Sequence, residues 1–274
     1  MPELPEVESV RRALIPVLEG VRIVEVELRH QRTGRRNLRP GDVVDRLQGR
    51  RVLAVGRQGK FLLAPLDSGS VLVIHLGMSG HVEVARPGDP EARHTHFVAR
   101  TEAGDEVRLV DPRTFGFVAV LEPDELGTLA HIGPDAFETL PSAARLAEVL
   151  TGRTAPIKSL LLDQRILAGL GNIYADEVLH RARIRPDRPG GTLTREEVGR
   201  LRKAIPPILE AGIEAGGTSL TDLAYLLPDG TAGEFSERLR VYGREGERCK
   251  RCGGEIQRVV IGGRSSYFCG GCQA

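Results

Sequence analysis

The chain contains no tryptophan, and aromatic residues make up only 4% of its 274 positions. That argues against an extended platform for stacking single-stranded bases. Lysine is scarce as well. Only Lys60, Lys158, Lys203 and Lys250 occur among 38 basic residues, and the rest are arginine. A chain so biased toward the always-charged guanidinium keeps a lysine where a compact, titratable amine is useful, which points to Lys60 and Lys158. No apolar run reaches the ~20 residues of a membrane span. No basic-then-apolar signal opens the chain, so a soluble cytoplasmic protein is expected. Cysteine is absent before position 249. Four cysteines confined to the C-terminal end do not make a disulfide scaffold, and metal ligation is the better reading. A charge excess of one sign is also missing, since the net charge is +1.

Within that balance the arginines cluster. Arg29, Arg32, Arg35, Arg36 and Arg39 form one group, and Arg50, Arg51 and Arg57 with Lys60 form another. Arg181, Arg183, Arg185 and Arg188 form a third. Such groups suit either phosphate contact or a solvated surface. The length suits two domains of ordinary size. Leu4, Val7, Val10, Leu14 and Val17 recur at helical spacing over residues 4–18, and Gly20 marks a stop. From Val21 to about Val120 the pattern becomes short β-type runs at 24–28, 51–55, 61–63, 70–74, 106–110 and 117–121, which predicts a sandwich or barrel. Residues 126–145, with Gly127, Gly133, Pro134 and Pro141, read as a linker. Helices are expected around 160–162, 173–182 and 195–215, and a loop over 216–240. The fold class is α+β, with a domain over 1–125, a helical domain over 146–240 and a cysteine module over 241–274.

Three stretches carry chemistry. The chain opens Met1-Pro2-Glu3-Leu4-Pro5-Glu6. Removal of Met1 would bare a secondary amine beside two carboxylates. An α-amino group titrates near ~8 and a lysine near ~10.4, so roughly a tenth of such termini are neutral at pH 7. A neutral amine can attack a carbon and form a Schiff base. Taken alone, Pro2 and Pro5 only shape the entry to a helix, with Pro5 at its first position. At the other end, Cys249-x2-Cys252 and Cys269-x2-Cys272 are spaced for a closed tetrahedral zinc site with no open coordination position. Between them a strand at 256–261, a Gly262-Gly263 turn and a returning strand at 266–268 put Arg264 at an exposed tip. So small a hairpin needs metal to fold. Pro156 to Gln164, followed by Gly169-Leu170-Gly171-Asn172-Ile173-Tyr174, reads as helix, glycine-bearing turn, helix, with Asn172 as N-cap. The backbone N–H groups of such a start attract phosphate, though an ordinary helical hairpin has the same pattern.

Together these motifs resemble the formamidopyrimidine-DNA glycosylase family of base-excision repair enzymes, over essentially the whole chain. The resemblance rests on Met1 to Glu6, Gly59-Lys60-Phe61, Leu162-Asp163-Gln164 through Gly171-Asn172-Ile173-Tyr174-Ala175, and Val241-Tyr242-Gly243-Arg244 with the four cysteines. It implies an N-terminal β-sandwich with an N-terminal helix, and a C-terminal helical domain with a helix–two-turn–helix and a β-hairpin zinc finger. It implies a monomer that grips double-stranded DNA carrying an oxidised base, and one structural Zn2+ on Cys249, Cys252, Cys269 and Cys272. By the same resemblance Pro2 matches the nucleophile, Glu3 the acid/base carboxylate and Glu6 a supporting carboxylate. Lys60 matches the residue credited in β-elimination and Arg264 the one credited in δ-elimination. Arg153, His94 and Arg113 match DNA-contacting positions. Asn172, Lys158, His75 and Tyr242 are similar to phosphate-contacting ones. Met78 and Phe115 match residues that fill the void left by a flipped nucleotide, where core packing is the alternative.

Two departures stand out. Thr114 sits where many members carry a second arginine, and Gly233-Glu234-Phe235 differs from the expected lesion-covering loop over 226–240. The implied activity is that of a bifunctional glycosylase and abasic-site lyase for oxidised purines. Two rivals remain at this point, an endonuclease VIII-like enzyme for oxidised pyrimidines and a non-catalytic DNA-binding protein on the same scaffold.

Overall fold

A computed structural model of the chain describes residues 2–220 and 225–274. The expectations for Met1, and for the part of the 216–240 loop at 221–224, fall outside these. The described residues form two compact units. One comprises Met1–Ala130 with Ile213–Ser236, and the other His131–Gly212 with Glu237–Ala274.

The first unit begins with helix α1 (Leu4–Leu18). Its start is set by Glu3 as N-cap and by Glu6, which reaches back to accept the Glu3 N–H at 2.8 Å. Pro5 takes the second helical position, one later than expected, where its missing N–H is still no loss. Strand β1 (Ile23–Leu28) and helix α2 (Asp42–Leu47) follow. Next come β2 (Gly56–Gln58), β3 (Phe61–Pro65), β4 (Val71–His75) and β5 (His81–Ala85), then β6 (Thr95–Thr101), β7 (Glu106–Val110) and β8 (Phe117–Leu121). They make two four-stranded antiparallel sheets, ordered β1-β6-β7-β5 and β2-β3-β4-β8.

One core joins both sheets, as a sandwich requires. Ile23, Val26, Phe97, Val107 and Leu109 come from one sheet, and Leu62, Leu72, Ile74, Val118 and Val120 from the other. Val7, Val10, Leu14 and Leu18 of α1 and Val43 and Leu47 of α2 belong to the same cluster. Tyr225 joins it too, which is why the chain's return segment belongs to this unit.

The second unit contains α3 (Ala143–Leu150), α4 (Ile157–Leu162), α5 (Asn172–Ala182) and most of α6 (Arg195–Glu214). A two-stranded hairpin, β9 (Ile256–Ile261) and β10 (Arg264–Cys269), closes it. Among the described residues no helix is long and apolar enough to cross a membrane.

Several local expectations change. The run 51–55 forms only isolated bridges, Arg22 with Arg51 and Val52 with Leu66, because its partners offer one residue each. The expected linker is largely structured. Ile132, Asp135 and Ala136 are buried, and the Asp135 carboxylate accepts the N–H groups of Phe137 and Glu138, both at 2.9 Å. Ser142 caps α3 by accepting from Arg145 N. Asn172 is the first residue of α5, and Gly171 is its N-cap.

Candidate active site and DNA-contacting surface

In the first unit, buried ionisable groups gather around the start of α1. Pro2 is buried, and Glu3 and Glu6 are each only 2% exposed. The Glu6 carboxylate is shared, because Oε2 accepts Glu3 N–H and Oε1 accepts Thr218 N–H at 2.7 Å. The Tyr225 hydroxyl donates to the Glu6 carbonyl at 3.2 Å. Gly217, at φ 88, is needed here, since a Cβ would stand 2.8 Å from Glu6 Cγ. Sequence reasoning found Glu6 but neither Thr218 nor Tyr225, which lie more than 200 positions away and act through backbone and ring.

Lys60 sits in the turn between β2 and β3 beside Gly59, whose φ is 58, and is buried. The turn is tied to α1. Arg57 donates to the Gly59 carbonyl at 3.0 Å and pairs with Glu8 at 3.2 Å, both side chains being buried. Burial works against the Glu8 charge, but hydrogen bonds from Arg11, Arg12 and Arg57 outweigh it and hold its pKa at about 2. Glu8 and Arg57 thus fix the turn bearing Lys60 to the helix whose start carries Pro2 and Glu3. Neither stood out in the sequence, where Arg57 was only one of a cluster.

His75 ends β4, opposite Phe61 and Phe117 in the ladder, with its ring stacked on Phe117 at 5.4 Å. Burial first, then the charges of Lys60, Arg35 and Arg36, lower its pKa to about 4. Nδ1 accepts the Gly77 N–H at 3.1 Å, so the neutral ring carries its proton on Nε2, where it can donate.

Met78 and Phe115 stand on neighbouring loops and are 42% and 37% exposed, which decides against core packing for both. The loops touch closely, since a Cβ on Gly77 would lie 2.5 Å from the Phe115 carbonyl carbon. Asp111 pins them together, accepting Ser79 Oγ at 2.7 Å and Gly116 N–H at 2.6 Å. The Arg113 guanidinium lies 4.9 Å over the Phe115 ring. His94, half-buried with φ 72, precedes β6, and its carbonyl accepts Asp111 N–H at 3.1 Å.

In the second unit the finger hairpin is gripped by buried polar groups. Lys158 is 0% exposed, pairs with Asp176 at 2.8 Å and donates to the Ser265 carbonyl at 2.9 Å. Asn172 Nδ2 donates to the same carbonyl at 3.0 Å, and Asp176 Oδ2 accepts Tyr267 N–H at 2.9 Å. Burial raises the Asp176 pKa to about 7 against the pull of Lys158. The expected phosphate contact of Lys158 meets a correction here: its ammonium lies inside the unit, away from solvent, holding β10.

Glu177 is equally buried and takes the N–H groups of Arg240, Val241 and Tyr242 at 2.9–3.0 Å. It thereby fixes Tyr242, whose ring packs edge-on to Tyr267. Arg264 is exposed at the start of β10, next to the held Ser265. Arg153 is exposed after α3 beside a cavity of about 600 Å³, also lined by Arg145, Arg165 and Asp163.

The ligand atoms of the four cysteines all lie within 4.8 Å of one another. The Cys249–Cys272 and Cys252–Cys269 sulfur separations are 3.8 and 3.5 Å. Disulfides would bring sulfurs to about 2 Å, whereas ligands at about 2.3 Å from a tetrahedral ion lie about 3.8 Å apart. The cluster therefore fits a structural metal ion and leaves it no open position.

Comparisons with known proteins agree over the whole chain. The family model described as formamidopyrimidine-DNA glycosylase N-terminal domain matches residues 1–118. The formamidopyrimidine-DNA glycosylase H2TH domain matches 132–223, and the zinc finger found in FPG and IleRS matches 246–274. The formamidopyrimidine-DNA glycosylase of Gluconobacter oxydans is 45% identical over 284 aligned positions, covering 100% of both chains. The crystal structure of the MutM (FPG) protein of Thermus thermophilus is similar with a TM-score of 0.88 and 40% identity, covering 99% of this chain and 98% of that one. The Lactococcus lactis Fpg in complex with abasic-site DNA gives a TM-score of 0.90 at 33% identity, covering 99% of each chain.

Proposed function

Because the chain belongs to the formamidopyrimidine-DNA glycosylase family, we propose that it removes oxidised purines, 8-oxoguanine and formamidopyrimidines, from duplex DNA and then cuts the strand through an imine at Pro2. The observation that carries this reading is the set of buried groups at the start of α1. Pro2, Glu3 and Glu6 are buried together there, and the Glu8–Arg57 pair ties the buried Lys60 turn to the same helix. Burying so many ionisable groups costs stability unless each is held by partners, and functional sites are where proteins accept that cost.

Once Met1 is removed, the Pro2 nitrogen attacks C1′ of the damaged nucleotide, and the bond to the base breaks as the base leaves with a proton. Glu3 protonates the ring oxygen, which opens the sugar. The resulting iminium is permanently cationic, since a secondary amine has no second proton to lose. It acidifies the adjacent sugar C–H, so Lys60 assists loss of the 3′ phosphate and Arg264 loss of the 5′ phosphate. Hydrolysis of the imine then frees Pro2.

Glu6 holds the start of α1 through Glu3 N–H and Thr218 N–H. His75 donates from Nε2 to a backbone phosphate, a contact that its low pKa leaves neutral. His94, Arg153, Asn172 and Tyr242 add contacts to the duplex. Met78, Arg113 and Phe115 fill the gap left by the extruded nucleotide. Lys158 acts indirectly, through Ser265. Zn2+ on the four thiolates supplies folding free energy to the finger and takes no part in the chemistry.

Borohydride reduction tests the reading. The mature protein incubated with an 8-oxoguanine duplex should give a covalent adduct, and protein that keeps formyl-Met1, with no free amine at Pro2, should lose it while still binding DNA. An adduct of wild-type yield from the formyl-Met1 protein would refute the nucleophile. Faster release of thymine glycol than of 8-oxoguanine would refute the purine preference.

A further inference from the structure

The loop carrying Arg113, Thr114 and Phe115 is held from outside itself. The carbonyls of Thr114, Phe115 and Gly116 all end on guanidinium groups from the turn after β1. Arg32 Nε donates to Thr114 O at 3.1 Å. Arg35 donates to Phe115 O and Gly116 O, both at 2.7 Å, from its two terminal nitrogens. Arg35 also donates to Arg32 O at 2.7 Å, which locks the two arginines to each other.

Behind them Arg35 lies 5.5 Å over the Phe117 ring. Asp111 takes the Gly116 N–H at 2.6 Å. The backbone so gripped is unusual, because Thr114 has φ 54. β-branched residues rarely occupy that region, and one persists there only when its surroundings over-determine it. Burial first, then the neighbouring Arg32 and Arg36, lower the Arg35 pKa, so its charge is kept there at a cost.

We propose that Arg35 is a positioning residue for nucleotide extrusion: its forked guanidinium, with Arg32, fixes the backbone of residues 114–116 so that Arg113 and Phe115 stand ready to fill the gap in the base stack. The proposal rests on the reading of Arg113 and Phe115 as gap-filling side chains. A wedge that separates stacked bases must not yield, because a loop that relaxes lets the stack close. The fork is what this requires. A lysine presents its donors from one point and cannot span two successive carbonyls while also holding Arg32 O.

Single-turnover kinetics with two substrates test it. One is a duplex bearing 8-oxoguanine, with 2-aminopurine beside the lesion to report unstacking. The other is a single strand bearing a preformed abasic site, which has no stack to hold open. Arg35→Met and Arg35→Lys should both excise the lesion at least about tenfold more slowly and dampen the 2-aminopurine rise. Both should cut the single strand within about twofold of the parent. Full duplex activity in Arg35→Lys would mean that only the charge matters and would overturn the proposal. Equal losses on both substrates would assign Arg35 to general folding and would also overturn it. Phe115→Ala separates the two levels: if it excises from duplex DNA normally, the gap-filling reading itself fails, whatever Arg35 does.

Discussion

Replacing Gly217 by alanine isolates what holds the Glu6 carboxylate. Gly217 has φ 88, and an added Cβ would meet Glu6 Cγ at 2.8 Å, Glu6 Oε1 at 2.9 Å and Tyr225 Cε1 at 3.1 Å. None of these can retreat freely, because Glu6 is held by Glu3 N–H and Thr218 N–H, and Tyr225 by the Glu6 carbonyl. Gly49 is a matched control, with φ 80 and nothing within 4 Å of an added Cβ. Both substitutions put an L-residue in the left-handed region, at about 1–2 kcal/mol. Gly217→Ala must also displace the carboxylate, and losing one charged hydrogen bond to a buried N–H costs ~1.5–3 kcal/mol more. Urea unfolding at pH 7 should therefore show a loss of about 2.5–5 kcal/mol for Gly217→Ala and about 1–2 for Gly49→Ala. Under native conditions, borohydride trapping on lesion DNA should slow at least about tenfold in the first variant and stay unchanged in the second. Equal stability losses, or a folded Gly217→Ala that traps at the parental rate, would refute the idea that this return segment sets the carboxylate.

His75, with a folded pKa of about 4 against an ordinary 6.5, stays neutral in the folded protein while the unfolded chain takes up a proton. The stability it contributes is present above pH 6.5 and is lost as pH falls toward 4. Stability should therefore drop by up to about 2 kcal/mol from this residue between pH 7 and 5, and His75→Gln should flatten that part of the urea-midpoint profile; an unchanged slope would count against the assignment. Elemental analysis should find one Zn2+ per chain, and Cys249→Ser should lose it together with much of the affinity for duplex DNA. A different metal, or full affinity without any, would overturn the role given to the finger.

The groups that make up the candidate site were largely legible in the sequence because their signals are local. A thiolate pair at x2 spacing, a proline behind the initiator methionine and a lysine in an arginine-rich chain can each be noticed without knowing the fold. The same holds for α1, whose apolar residues recur every turn, and for β8, which is a continuous apolar run. The ends of the sites were not legible. Glu8 and Arg57 pair across 49 positions, Thr218 meets Glu6 across 212, and Ser265 meets Lys158 across 107. In each of the last two, one partner is a backbone N–H or carbonyl, which every residue possesses and no pattern marks. Short elements such as β2 and α2 escaped for a related reason, since three to six residues carry too little periodicity to stand out.

The sequence by itself determined which groups this protein possesses: a terminal secondary amine in waiting, two carboxylates beside it, a few lysines and a four-thiolate cluster. Tertiary structure alone decided how those groups are used. It buried Lys158 in an ion pair where a surface contact was expected, and it returned residues 213–236 to the first unit. It also turned Arg35 from a surface charge into a clamp on three carbonyls. The physical reason is that covalent order fixes a residue's chemistry, whereas burial, hydrogen-bond partners and pKa depend on what distant segments bring to it.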